Sequence, residues 1–445
     1  MQTPLMPIGS GYVPAEDQPL VHAAEEFMRA AVLPSAHPHG FRTPQPMPSL
    51  LAAASEAGLM GLDVPQEHGG LQLTWPVSLA ISQATAAEPS FAISQGVHTG
   101  VATLPILLFG NLHQHRHWLP QLAEGRRIGA FALTEAHAGS DIGALRAKAE
   151  PHAGGYLLTG DKMWITNAAY AGIFTVFAHT PQGLTALLVP AETSGVAASR
   201  EEHKIGLKGS STTRVTFQQA KIPPENVLGS PGSGARIALT TLNIGRLKLS
   251  ATALGIARRC LHLTQNYVEE RAVFGEALSR RALTKLRLTK MAERISTAEH
   301  TLYRTSLRLQ QNWYTDPAAA SAGISLECAL LKPLCTETLD FCADTAVQLH
   351  GGYGYSEEFE IARLWRDARV FRIFEGTNEV NRLSAARAMA RMSLEELQAR
   401  ISPKGAEELW MRLRPLQGCT ITDERQVEME EAAMLAEKLF AQPPQ

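Results

Sequence analysis

Residues 155–166, "GYLLTGDKMWIT", decide how the middle of the chain is read. Tyr156, Leu157 and Leu158 make one short apolar run and Met163, Trp164 and Ile165 a second, with Thr159, Gly160 and Asp161 between them. That punctuation predicts a β-hairpin. Residues 173–190, "IFTVFAHTPQGLTALLVP", repeat the plan around Pro181, Gln182 and Gly183, and residues 212–229, "TTRVTFQQAKIPPENVLG", add a strand that stops at a double proline. Residues 129–236 therefore read as a small antiparallel β domain.

Outward from it, apolar spacing changes to three and four. Residues 1–128 read as an N-terminal helical domain, broken at "PSAHPHG" and "PQEHGG". After "GSPGSGA", residues 237–392 carry long helical patterns of the kind that pack into a four-helix bundle. Residues 393–445 read as a helical appendage. It opens on a capping box at Ser393 and Glu396 and ends in a helix with Val427, Met434, Leu435 and Leu439 on one side, expected to dock on the bundle or on a second copy of the chain. The fold class is α+β.

A formal net charge of −2 with scattered basic residues gives no electrostatic footprint for nucleic acid. The first twenty residues hold prolines and acids where a signal peptide needs a basic start and an apolar run, and no stretch approaches a membrane span. A cytoplasmic location and no stable membrane insertion are the expectations. Of the five cysteines, Cys260, Cys328, Cys335, Cys342 and Cys419, no two stand at C-x-x-C spacing, so buried free thiols are expected. His98, His113, His115 and His117 lack a carboxylate or cysteine at ligand spacing, and no metal is expected.

Chemistry enters at residues 371–380, "FRIFEGTNEV". A lone Glu375 is most simply a solvated helix acid. Held instead against Phe371, Ile373 and Phe374, its pKa would rise until it could serve as a base near neutral pH.

Three blocks in order, "AFALTEAHAGSD" at 130–141, "GDKMWITN" at 160–167 and "RDARVFRIFEGTNEVNRL" at 366–383, lie within a helical, β, helical succession. Residues 17–392 so patterned resemble the acyl-CoA dehydrogenase family, in wording most like its very-long-chain branch. The resemblance implies FAD, oxidation of an acyl-CoA thioester to the trans-2-enoyl-CoA in fatty-acid β-oxidation, electron-transfer flavoprotein as acceptor, and a homodimer or homotetramer. Two alternatives stay open: an acyl group on a carrier protein, and a flavoprotein scaffold of the same fold.

Site residues follow by the same resemblance. Glu375 is the implied base, taking the pro-R α-proton, with its amide and a flavin hydroxyl polarising the thioester carbonyl. Arg246, Asn243, Gly376, Ser140 and Ala102 fall on the substrate side. Some relatives take the base from the position of Gly245, which has no side chain. Trp164 is implied beside the isoalloxazine, Thr166 near its N5, Phe131, Leu133 and Thr134 at its pyrimidine edge, and Ser140 at the pyrophosphate. Arg271, Phe274 and Leu278 of "RAVFG" and its sequel, with Gln348 and Gly352 of "QLHGGYG", are implied to bind the dinucleotide half of a neighbouring subunit's cofactor. Thr377 and Glu379 complete the flavin set, Glu379 standing where relatives often have glutamine. Ala102 and Pro105 stand where very-long-chain relatives have glycines, which predicts a medium to long straight acyl chain.

Overall fold

The computed structural model describes residues 5–36, 40–417 and 423–442. Short helices come first, among them Gln18–Phe27, Met47–Glu56, Trp75–Thr85 (α1), Pro89–Val97 (α2) and Leu112–Ala123. Pro76 and Pro89 sit in the first turns of α1 and α2, where a missing N–H costs nothing. Glu88 caps α2 by accepting from the Phe91 amide at 2.7 Å. The run Pro89–Phe109 is long and apolar enough to cross a membrane, and 78% of an 18-residue window within it is buried inside the protein.

One sheet follows, built from β1 (Gly129–Ala132), β2 (Lys148–His152), β3 (Gly155–Thr166), β4 (Ile173–Thr180), β5 (Gly183–Pro190), β6 (Val196–Ala198), β7 (Thr212–Ile222) and β8 (Val227–Leu228). Its order is β6-β7-β3-β2-β4-β5-β8, with β1 on β4. β4 and β5 form the hairpin expected around Pro181, and β7 ends before the double proline. Both faces of β4 are buried: Ile173 and Phe177 pack toward Trp118, Leu122 and Ile237, while Phe174, Val176 and Ala178 pack toward Leu158, Val215 and Phe217.

Two readings of this region change. Residues 155–166 are one continuous strand, not a hairpin. Gly160, at φ 151°, marks a bulge: the register with β7 slips between Leu158 and Gly160, and a Cβ there would stand 2.7 Å from that of Ala147. The glycine thus admits a close backbone crossing rather than a reversal. The sheet is also mixed, since β1 and β2 both run parallel to β4. The β4–β5 and β3–β7 pairings remain antiparallel.

The chain then forms long helices, α3 (Gly234–Glu270), α4 (Ala282–Trp313) and α5 (Ser325–His350), with α6 (Asn378–Met389) packed on α5. Their core is continuous with that of the first helices, joining Leu254, Leu302 and Leu339 to Trp75 and Phe91. Cys260, Cys328, Cys335 and Cys342 lie unpaired in this core; Cys419 is outside the described residues.

Helices α7 (Pro403–Leu413) and α8 (Asp423–Phe440) close the chain. The capping box at Ser393 forms with both reciprocal hydrogen bonds. The appendage docks on the bundle through Leu409, Met429, Ala433 and Phe440 against Leu330, Ala386 and Met389. The buried face of α8 overlaps the expected one in part: Leu435 and Leu439 pack on the bundle, but Val427 and Met434 are exposed, and Met429, Ala432, Ala433 and Ala436 point inward. Alanines let the helices approach closely, which a search for large apolar residues overlooks.

Candidate active site

Glu375 lies in the short loop between the 3-10 turn Arg369–Arg372 and α6. Glu375 and Gly376 take φ of 56° and 82°, two consecutive left-handed residues that reverse the chain. Glycine adopts this freely; for Glu375 it costs about 1–2 kcal/mol. The loop is clamped from three helices. Arg246 Nε on α3 donates to the Glu375 carbonyl at 3.1 Å, Lys332 Nζ on α5 donates to the Gly376 carbonyl at 2.9 Å, and Asn381 Nδ2 on α6 donates to the same carbonyl at 2.8 Å. Thr377 accepts from the Val380 amide at 3.3 Å and caps α6.

The clamp leaves the carboxyl group facing a narrow slot between α1, α2 and α3. Ile93, Val97, Val101, Gly245, Leu249 and Phe374 are among its walls. A Cβ on Gly245 would be 2.7 Å from Glu375 Oε2, so the glycine makes the space that the carboxylate occupies. Glu375 as a residue is half-buried, but its Oε2 is shut off from solvent and has no hydrogen-bond partner among the described residues. Burial pushes its pKa up to about 7, against the opposing pull of Arg246 and Lys332.

The desolvating walls are not the ones anticipated. Phe371 is buried in the bundle core and Phe374 borders the slot, but Ile373 is 51% exposed. The 3-10 turn rotates Ile373 outward, and Val101 and Gly245 of other segments take its place.

Arg246 and Asn243 are joined at 3.3 Å, and Asn243 donates to the Ser321 carbonyl at 3.1 Å. Ala102 stands elsewhere, its Cβ 2.7 Å from where a Cβ of Gly129 would be, while its neighbour Val101 borders the slot.

A second group converges on β1 and β3. Met163 donates to the Thr134 carbonyl at 2.8 Å, so "FALT" and "WIT" run side by side. Beneath them, fully buried Lys162 donates to the Leu133 carbonyl at 3.0 Å and to Glu135 Oε1 at 2.8 Å, and Glu135 also accepts from the amides of Arg146 and Ala147. Trp164 is 56% exposed at φ 62°, where the β3–β7 register slips a second time. That bulge turns a large indole outward at the cost of backbone strain, a combination concentrated at functional sites. Asn167 Nδ2 donates to the Ser94 carbonyl at 2.8 Å, which ties the end of β3 to α2 beside the slot residues Ile93 and Gln95. Phe131, Thr134 and Thr166 are partly exposed, Leu133 is buried and Ser140 is exposed.

A third group lies at the far end of α3. Arg271 stacks its guanidinium 5.8 Å from the Tyr353 ring, next to Gly352 and near the exposed Gln348. Phe274 is 97% exposed on a two-residue ribbon tip, with Leu278 just beyond.

Sequence reasoning missed Lys332, Glu135 and Lys162. A lysine inside the apolar run "ALLKPLC" was the available signal for Lys332. Lys162 and Glu135 stood inside motifs already singled out, but a pairing across 27 residues leaves no local trace.

Three family models cover the chain: "Acyl-CoA dehydrogenase, N-terminal domain" at residues 14–126, the middle domain at 130–220 and the C-terminal domain at 232–390. A probable acyl-CoA dehydrogenase of Bacillus subtilis is 37% identical over 441 residues, 96% of this chain and 74% of that protein. The short-chain specific enzyme of Mus musculus mitochondria is 33% identical over 84% of this chain and 90% of its own length. The very long-chain specific enzyme of the same organism is 34% identical over 76% and 52%. The crystal structure of an acyl-CoA dehydrogenase from Bacillus anthracis complexed with FAD superposes with a TM-score of 0.90 at 34% identity, covering 96% of this chain and 80% of that one. With all three domain models in sequence and a relative of this identity along nearly its whole length, the chain belongs to the acyl-CoA dehydrogenase family.

Proposed function

We propose that the protein oxidises an acyl-CoA to the 2-enoyl-CoA with Glu375 as base. The observation that carries this is the Glu375 carboxyl group: close to Val101 and Gly245, without a hydrogen-bond partner at Oε2 among the described residues, and facing a slot. A buried polar atom left unpaired costs stability and calls for an explanation, and at a carboxylate facing a slot a proton-accepting role supplies one.

The residues present fit FAD, because the outward indole of Trp164 beside the edges of Phe131, Leu133 and Thr134 is a flat apolar platform flanked by polar backbone. Trp164, Thr166, Phe131, Leu133 and Thr134 would hold the ring, Ser140 the pyrophosphate, and Thr377 and Glu379 the side nearest the base. Bound FAD supplies the acceptor for the hydride that leaves the β-carbon as the α-proton departs. Glu375 takes that proton; Gly376 offers the carbonyl by which the loop is clamped, and Asn243 holds Arg246. Arg246 fixes the Glu375 carbonyl and so the direction of the carboxylate.

Arg271, Phe274, Leu278, Gln348 and Gly352 would serve a second copy's cofactor, in a homodimer or homotetramer. Electron-transfer flavoprotein is the proposed acceptor, in cytoplasmic β-oxidation. The slot's lining of Ser82, Thr85, Ala92, Gly96 and Thr252 is small, with open space beside Gly96, and its narrowness supports a straight acyl chain over a branched one; a medium to long length is the proposal that titration by chain length tests. Ala102 lies off the slot and plays no part in that choice.

Anaerobic titration with straight acyl-CoAs of increasing length, a branched acyl-CoA and an acyl-carrier thioester tests the reading. Bleaching of the yellow protein by straight acyl-CoAs is expected. A protein bleached by the carrier thioester alone, or by none, overturns it.

A further inference from the structure

The C-terminal helix reaches the Glu375 loop through an unbroken chain of polar contacts, buried except at the partly exposed Glu337. On α8, Glu437 is 7% exposed and accepts from Arg382 of α6, at 2.7 Å from Nε and 3.1 Å from Nη2. Arg382 Nη2 also donates to Glu337 of α5 at 2.8 Å. Glu337 accepts from Asn378 Nδ2 at 3.1 Å, and the other end of that amide, Oδ1, accepts from Lys332 at 2.8 Å. Lys332 in turn donates to the Gly376 carbonyl. A parallel link runs along the backbone, since Asn381, next to Arg382, donates to the carbonyls of Glu375, Gly376 and Thr377.

Each joint of this chain is directional. Asn378 presents Oδ1 to Lys332 and, at 3.2 Å, to the Thr336 hydroxyl, while Glu337 holds its Nδ2 end, and Glu337 shares Arg382 with Glu437. Without Glu437, the buried guanidinium retains Glu337 and, at 3.7 Å, Glu430. Glu337 would then have to compensate more of that charge, at the expense of its hydrogen bond from the Asn378 amide. Glu375 sits at a strained positive φ that persists only if its surroundings over-determine it.

We propose that Glu437 is a positioning residue for Glu375, acting through Arg382, Glu337, Asn378 and Lys332, so that the C-terminal appendage is part of the apparatus that aims the base. The inference rests on the reading of Glu375 as base. The charged groups that face Glu375 are Arg246 from α3 and Lys332 from α5, and Lys332 also faces Glu337 and Glu379. Those facing Glu437 are Arg382, Glu337 and Glu430.

The test compares full-length Glu437→Gln, Glu437→Asp and Met429→Ala with the parent, all loaded with FAD. Met429 packs α8 on the same surface but has no place in the polar chain. Glu437→Gln is expected to slow flavin reduction at saturating acyl-CoA by roughly 10-fold, within the range that a small misplacement of a catalytic group costs. Its acyl-CoA affinity should be unchanged, and amide hydrogen exchange at residues 376–381 should rise. Glu437→Asp recovers part of the rate. Met429→Ala lowers Tm but keeps the rate and the loop's exchange. A Glu437→Gln variant at the parental rate with unaltered exchange, or a Met429→Ala variant slowed as much, overturns the positioning role. A parent that no acyl-CoA bleaches overturns the functional reading beneath it as well, so the two failures are told apart.

Discussion

The Cβ that Gly245 lacks would stand 2.7 Å from Oε2 of Glu375 and equally close to Cγ1 of Val101. The carboxylate occupies the volume of a missing methyl group on the facing helix. Gly245→Ala should therefore turn the carboxylate out of line while leaving the helix intact, since alanine is the better helix former. Flavin reduction is expected to fall at least about 10-fold with FAD content unchanged. Stopped-flow reduction at saturating acyl-CoA checks it.

Because burial holds the Glu375 carboxyl group near pKa 7, the acid limb of kcat/KM should rise through neutral pH as the carboxylate forms. Burial lowers the pKa of Lys332 to about 7 as well, and while protonated it favours the charged form of Glu375, so Lys332→Met should move that limb to higher pH. Stability has the opposite sign. A carboxyl group whose pKa is raised on folding binds its proton more tightly in the native state, so stability falls as pH climbs from the ordinary 4.5 toward 7. Glu375→Gln removes that loss: its Tm should exceed the parent's at pH 8 and converge with it below pH 4.5. Scanning calorimetry across that range reads the sign.

What the sequence disclosed was local or periodic. The β4–β5 hairpin, the stop at Pro223, the capping box at Ser393 and the isolated carboxylate in "FEGT" each depend on neighbours within a few residues. What it hid depends on register or distance. Gly160 has the composition of a turn and the function of a bulge, because only the crossing of Ala147 distinguishes the two. Ile373 shares its run with Phe371 and Phe374, but a 3-10 turn gives it a different direction. Lys332, Lys162 and Glu437 are buried charges whose partners come from other elements, and no spacing rule announces them.

Trp164 contributes an exposed ring and little core packing. Trp164→Ala should keep the sheet, with far-UV circular dichroism like the parent's, but lose a large share of its FAD during purification. The ratio of flavin to protein absorbance measures this, and full FAD occupancy in the variant contradicts the platform assignment.

Lys162 and Glu135 form a buried pair beneath the same platform. Lys162→Met strands a buried carboxylate and should cost about 3–5 kcal/mol of stability. Adding Glu135→Gln to it restores much of that, because the uncompensated charge is gone. Denaturant unfolding of the two single variants and the double variant tests the coupling.

The central claim is that Glu375 is the base, and Glu375→Gln tests it most directly. The substitution keeps size and most hydrogen bonds while removing the proton acceptor. The purified variant should be folded, yellow and able to bind acyl-CoA, yet an anaerobic mixture with a straight-chain substrate should bleach more slowly by at least the ~10²-fold credited to one acid–base group. Bleaching of Glu375→Gln at the parental rate would contradict the account.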